Sequence, residues 1–381
     1  MIKIASIVLN NFTNDSRVLK EGISLKNEGY DVTIVALHKE GLEEFEEVQN
    51  ISVHRVKLRT MNWSKNIVAS VAKYIEWSYH VIKKYRKYEV MHCHDLNALH
   101  IGVLSKLFNR KLKVIYDAHE YETEVNYLVG IKKSLSRVTE KFLIKYADAV
   151  ITVSDAIAEE YVRLYNIPKP HLVLNTPPYK EIEKKDIFRE TFNISEHKSI
   201  FLYQGNLSRG RGVEVVLETF KNLKDEKSVV IFMGYGELEE DIKVHQKKHN
   251  NIYFHEAVSP DILLNYTSSA DFGISMIEDV CLSYRYCLPN KMFEYIMAGV
   301  PVIVSNLPEM KKLIEEYEVG VVAKENRQEA LEEAIIEASA IEASALNKSH
   351  LEIQLNRVKS LFNWEEQESV LISLYRGVLN G

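Results

Sequence analysis

The chain has 381 residues, 46% of them hydrophobic and 27% charged, with a formal net charge of −6. That length favours two domains over one core, and the composition excludes the disordered, collagen-like and disulfide-scaffold classes. No apolar run approaches the length of a membrane span. Cys93, Cys281 and Cys287 form no CxxC and no even set, which implies a reducing, cytoplasmic setting.

The start, MIKIASIVLNN, has no long apolar core and reads as a first strand rather than a signal peptide. Residues 2–9 are expected to form that strand, and Asp15 or Ser16 to cap a helix that Gly29 ends. Strands are expected at 31–37 and 88–94, a helix at 96–108, a strand at 113–119, helix near 131–146 and a strand at 148–154. A helix from Asp155 to about Tyr165 and a short strand at 172–175 complete this half. The segment 175–186 bears prolines and then charge, and is the expected linker. Alternation restarts with strands at 199–205, 228–234, 251–257 and 271–277, and helices at 213–223 and near 260–267. A helix at 290–297, strands at 300–304 and 319–323, and a helical tail from 326 to 378 follow. Repeated strand–helix–strand order predicts an α/β protein with two doubly wound parallel sheets facing across a cleft.

Charge is distributed unevenly: residues 1–180 carry a net +5 and the remainder −11. A basic half suits an anionic acceptor or an acidic membrane face, and each cluster in it also reads as ordinary solvated helix surface. The stretch WSYHVIKKYRKY (77–88) mixes aromatics with Lys83, Lys84, Arg86 and Lys87, as interfacial helices do, and equally fits a plain amphipathic helix. Nothing in the chain marks a nucleic-acid partner.

The most informative stretch is SYRYCLPNKMFEYIMAGVPVIVS (283–305). Pro289 and Asn290 start a helix, Gly299 stops it, and a buried strand follows. The open N–H groups at the helix start attract phosphate, and Lys291 adds positive charge. Glu294, one turn in, is placed to accept from two ribose hydroxyls. A second glycine turn, YQGNLSRGRG (203–212), places Gly205, Asn206, Arg209 and Arg211 after a strand, where arginine forks suit phosphate oxygens. Alone it also reads as a tight turn with solvated arginines. Gly234 and Gly236 in a third turn serve turn geometry first, with a ligand role open.

In the first half, VIYDAHEYETE (114–124) sets Asp117, His119 and Glu120 past a strand end, where His119 is placed to donate to a sugar hydroxyl. MHCHDLNALH (91–100) does the same with His92, His94 and Asp95. Asn11 and Asp15 lie in a polar loop that either faces a ligand or merely caps a helix. The histidines show no HExxH or Cys/His spacing, so no metal is expected. GxSxG, the P-loop and a dinucleotide fingerprint after the first strand are all missing, which weighs against hydrolase, kinase and dehydrogenase chemistry.

In this order the motifs resemble the retaining glycosyltransferases of family 4, with the GT-B fold of two Rossmann-like domains, along nearly the whole chain. NDSRVLKEGISLKNEGYDVTIVA, VIYDAHE, ADAVITVSDAIAEEY, GNLSRGRG and LPNKMFEYIMAGVPVIVS carry the resemblance, the last in an LPNK…FEY subgroup form. The resemblance implies an acceptor-side domain over 1–176, with a C-terminal helix of about 364–381 packing back onto it, and a donor domain over 177–363. It implies Glu294 at the ribose, Arg211 and Lys291 at the diphosphate, and His119 at the donor sugar. Gly205, Asn206, Arg209, Gly234, Tyr286, Pro289 and Asn290 join the donor side; Asn11, Asp15, His94, Asp95, Asp117 and Glu120 join the acceptor side. Tyr286 stands where the family has the first acid of its E-x7-E pair, and Asn206 where the turn has arginine. The implied reaction is metal-independent transfer, with no cofactor, from a UDP-, GDP- or dTDP-sugar to a glycan or lipid-linked acceptor. It would take place in the cytoplasm or at the membrane's cytoplasmic face, for a surface polysaccharide or lipopolysaccharide. Two other readings fit the same residues: a sugar-nucleotide epimerase, which needs no acceptor, and a non-catalytic sugar-nucleotide-binding subunit.

Overall fold

The computed structural model describes residues 1–13, 15–64 and 66–380. The chain forms two compact units: Met1–Leu174 with Gln367–Gly381, and Asn175–Glu366. The expected boundaries after 176 and 363 thus move to 174 and 366.

The first unit is built on an eight-stranded sheet. Its strands are β1 (Lys3–Ile7), β2 (Asp31–Leu37), β3 (Phe45–Val48), β4 (Ile51–Val56), β5 (Val90–His94), β6 (Lys113–Asp117), β7 (Ala149–Thr152) and β8 (His171–Leu172). Their order is β3-β4-β2-β1-β5-β6-β7-β8, parallel throughout except for β3 against β4. β5 and the core residues of β1, β2 and β6 are nearly continuous buried runs, as central parallel strands must be when helices cover both faces. β3, with the exposed sequence FEEV, carries no apolar alternation; it and β4 have no counterpart in the expected series. A 19-residue helix, Ile67–Tyr85, extends the 77–88 stretch towards the N-terminus.

The second unit has a fully parallel six-stranded sheet. It contains β9 (Ser199–Asn206), β10 (Ser228–Tyr235), β11 (Ile252–Glu256), β12 (Phe272–Ser275), β13 (Val302–Ser305) and β14 (Gly320–Ala323), in the order β11-β10-β9-β12-β13-β14. Phe201, Tyr203, Val213, Val216, Phe220, Phe232 and Ile274 belong to an apolar cluster that clamps the helix Val213–Asn222 onto the sheet. The helices Glu239–Gln246 and Pro308–Tyr317 are additions to the expected series. The final helix, Trp364–Asn380, begins in the second unit and from Gln367 counts with the first, where Tyr375 is fully buried.

Candidate functional site

Both units concentrate polar groups at the carboxyl ends of their central strands, where open α/β sheets bind ligands.

In the second unit β9 runs out into Gln204, Gly205 and Asn206, and the turn after it enters the helix Val213–Asn222 through Gly212 at φ +78°. A Cβ on Gly212 would stand 2.1 Å from the Met276 carbonyl oxygen, so only glycine fits this entry. Gly234 lies within β10 against Gly205, whose carbonyl oxygen a Cβ would meet at 1.8 Å. Its role is thus close strand packing. The helix Asn290–Met297 starts after Pro289 with no side chain capping it, which leaves its first N–H groups available to an anion.

Tyr295 pins this helix to the sheet. Its hydroxyl donates to the Leu202 carbonyl and accepts from the Gln204 N–H, each at 2.8 Å. Gln204 in turn donates to Glu294 Oε2 at 2.6 Å and accepts from buried Thr267 at 2.8 Å. The Glu294 carboxylate is therefore oriented from beneath. Lys291 Nζ sits 3.6 Å from the centroid of the Tyr203 ring, and the Arg211 guanidinium lies over Tyr284 at 4.9 Å. Burial, with the nearby Arg211 charge added, pulls the Lys291 ammonium down to about 7 against the opposing pull of Glu294. The structure thus brings Arg211, Lys291 and Glu294 into one electrostatic group. Arg209 stands apart, largely exposed and paired with Glu214 at 2.8 Å. Asn206 and Asn290 are exposed, and Tyr286 is half-buried at the end of the short helix Leu282–Arg285. Gln204, Thr267, Tyr203 and Tyr295 were not among the expected site residues, since each reads in sequence as an ordinary strand or helix position.

In the first unit the polar group is buried. Arg17 forks onto Asp117, with Nη2 at 2.9 and 3.1 Å from the two carboxylate oxygens, and lies 3.1 Å from Glu21. His92, His94 and His119 complete the cluster: His94 Nδ1 is 3.0 Å from His119 Nε2, which is 3.3 Å from Asp117. The outer nitrogens are held too, His94 by Ser6 at 2.8 Å and His92 by Tyr375 at 2.9 Å. Asp117 is 0% and His94 2% exposed. Their expected place against an acceptor is corrected: they lie beneath His119 and position it. Asp95, at φ +65°, faces His119 from the other side, with 3.7 Å between Oδ1 and Nδ1. Burial lowers the His119 pKa, but Asp95 and Asp117 outweigh it and raise the imidazole to about 9, so it is a cation at neutral pH. Burial, then Asp117, lifts the Glu21 carboxyl to about 8. Asp15 caps the helix Ser16–Asn27 by accepting from the Val18 N–H and from Asn10. Asn11 accepts from Thr13, and Glu120 is half-buried beside His119.

Glu21, His92, His94 and Asp117 also set four ligand-type atoms within 4.8 Å of one another, a geometry able to hold a metal. Arg17 already supplies positive charge to both carboxylates.

The fold agrees with the comparisons. Residues 18–176 match the profile of Glycosyltransferase Family 4, and residues 184–350 that of Glycosyl transferases group 1. The chain belongs to this family of GT-B glycosyltransferases and is a transferase. An uncharacterised glycosyltransferase of Methanocaldococcus jannaschii is 24% identical over 322 residues, 80% of this chain and 78% of that one. The O-antigen biosynthesis glycosyltransferase WclY of Escherichia coli is 23% identical over 248 residues, 61% of this chain and 65% of that protein. Among solved structures, HepE of Anabaena in complex with UDP-glucose superposes with a TM-score of 0.75 at 13% identity, covering all of both chains.

Proposed function

We propose that the chain moves a sugar from a nucleotide-sugar donor to a hydroxyl of a glycan or lipid-linked acceptor, with retention at the anomeric carbon and without a metal. The observation that carries this is the grouping of Arg211, Lys291 and Glu294 at the uncapped start of the helix Asn290–Met297. Two cations and open N–H groups suit a diphosphate, and an oriented carboxylate suits the ribose beside it. The UDP-glucose bound by HepE supports the donor class. The role of WclY in O-antigen biosynthesis supports a surface polysaccharide or lipopolysaccharide product. The stretch LPNKMFEY supports assigning the chain to an LPNK…FEY subgroup of the family.

In this mechanism the first unit receives the acceptor beside Asp95 and Glu120, and cationic His119 donates to a hydroxyl of the transferred sugar. The bond from the anomeric carbon to the diphosphate breaks as Arg211, Lys291 and the helix start stabilise the charge on the leaving oxygen. The acceptor oxygen attacks on the same face, and a diphosphate oxygen takes its proton, so no separate general base is required. The protein works in the cytoplasm or at the cytoplasmic face of a membrane.

The test is donor binding. A nucleoside diphosphate at 100 times its Kd should stabilise the protein by about 2.7 kcal/mol. Glu294→Ala and Glu294→Gln, checked for fold by circular dichroism, should lose most of that thermal shift. A folded variant with an unchanged shift refutes the role of Glu294. Product analysis with donor alone separates transfer from epimerisation, and transfer by the purified chain excludes a non-catalytic subunit.

A further inference from the structure

The helix Gly130–Leu143 is amphipathic with its faces reversed. A surface helix normally turns its apolar stripe to the core. Here the inward face is anchored by charge: buried Glu140 accepts from Tyr116 at 2.6 Å, from Tyr161 at 3.0 Å and from Tyr165. Buried Glu124, just before the helix, receives Lys133 at 2.7 Å and Arg137. The stripe Ile131, Leu135, Val138 and Phe142, spaced i, i+4, i+7 and i+11, points outward with 88, 65, 67 and 62% exposure. Polar anchors hold the helix, and its apolar face stays largely exposed, with the Phe142 ring 5.4 Å from that of Tyr146.

The same layer continues beyond this helix. The helix Asp95–Lys106 packs against both Gly130–Leu143 and Ile67–Tyr85. Just past its end Leu107 and Phe108 are exposed, and along Ile67–Tyr85 so are Ile67, Val71 and Ile75. By contrast Trp77, Val81 and Tyr85 of the expected 77–88 patch are buried, so that stretch mainly packs inward. The charge around the exposed residues is mainly positive: Lys132, Lys141 and Lys145 flank the stripe, Arg110 and Lys111 follow Phe108, and residues 96–112 contain no acid, while Glu76 beside Ile75 accepts from the Arg59 and Thr60 N–H groups.

We infer that this helical layer of the first unit is a docking surface for an anionic phospholipid bilayer. Apolar side chains raised above a basic rim match an acyl boundary beneath anionic headgroups. A second copy of the chain is a poorer occupant, because it would bring the same positive rim against this one. Among the described residues no helix is long and apolar enough to cross a membrane, so the attachment lies in the interface. The purpose, bringing the first unit to a lipid-linked acceptor, rests on the transfer reading; the binding itself does not.

The test is flotation of the full-length protein with vesicles of phosphatidylcholine alone and of phosphatidylcholine with one quarter phosphatidylglycerol. Binding is expected only with the anionic vesicles, and is expected to fall as salt rises from 0.1 to 0.5 M. Leu135→Glu with Phe142→Glu should reduce it at least tenfold, and Lys132→Glu with Lys141→Glu and Lys145→Glu should do so as well. Because these side chains are exposed, the melting temperature and the thermal shift with a nucleoside diphosphate should stay as in the wild type. That readout separates failure here from failure of the donor assignment. Absence of flotation, or flotation indifferent to both variants, overturns the proposal. So does a dimer in light scattering that Leu135→Glu with Phe142→Glu dissociates, since the occupant would then be a second copy.

Discussion

Replacing Lys291 by Met should remove a proton from donor binding as well as a charge. The ammonium is held at about 7 by burial and by Arg211, so near neutral pH only about half of the free protein carries it. Anionic diphosphate oxygens favour the charged form, so binding should draw a proton onto Lys291. Above pH 7 the Kd for a nucleoside diphosphate should then rise, by at most about tenfold per pH unit. Lys291 is half-buried, and solvent screening brings the expected rise between pH 7 and 9 to about tenfold in all. At pH 6, Lys291→Met should bind about 10–100-fold more weakly, the value of a charge-assisted hydrogen bond. At pH 9 the gap between the two proteins should have narrowed by about tenfold. Lys291→Arg should keep the affinity and lose the pH dependence. Isothermal titration calorimetry in two buffers of different ionisation enthalpy reads the proton uptake directly. The unfolded chain holds this proton between about 7 and 10.5 and the folded chain does not, so Lys291 makes the free protein more stable as pH rises through that window. Lys291→Met should accordingly exceed the wild type in stability at pH 6. A wild-type Kd that is flat from pH 7 to 9, with no proton uptake, refutes the reasoning.

The buried cluster of the first unit makes an opposite prediction. Glu21, raised to about 8, keeps a proton that the unfolded chain loses near 4.5, so its contribution to stability falls as pH rises across that window. Glu21→Gln imitates the protonated form and should show a flatter stability–pH profile in urea unfolding, exceeding the wild type at pH 8.5. An unchanged slope would show that Glu21 does not hold the proton. Gly273→Ala should destabilise the second unit by about 1–3 kcal/mol, or more where the core cannot relax. Its Cβ would stand 2.3 Å from the Tyr295 ring, the side chain that fixes the helix Asn290–Met297 to β9. Wild-type stability in chemical denaturation would rule out that packing.

The legible part of the donor site is its local frame. Pro289, Gly299, Gly205 and Gly212 punctuate strand and helix within a few residues, so the start of the helix Asn290–Met297 and the turn before Val213 could be placed from the chain itself. Lys291, Glu294 and Arg211 came with that frame. Gln204 and Tyr295 did not, because their roles depend on residues about 90 positions away that no local pattern marks. In the first unit Asp117 and His94 looked like ligand-facing residues at strand ends. Their partner Arg17 lies 100 residues from Asp117 in sequence, and only the sheet order brings it beneath them. The stretch 38–66 hid β3 and β4 for the same reason: FEEV has no alternation, ISVHRV alternates over only its first four residues, and their pairing is with a distant strand and with each other.

The amino-acid order by itself determined the alternation of strands and helices, two parallel sheets, and the glycine turn and helix start that gather phosphate-seeking groups. Those features follow from backbone stereochemistry and short-range periodicity, which are written in neighbouring residues. Tertiary structure alone decided which of these groups are charged and which helix faces outward. Burial and distant partners set the ionisation of Lys291, His119 and Glu21, and three tyrosines from two other elements turn the helix Gly130–Leu143 with its apolar side to the solvent. Desolvation and Coulomb interaction depend on distance in space, and the fold creates those distances.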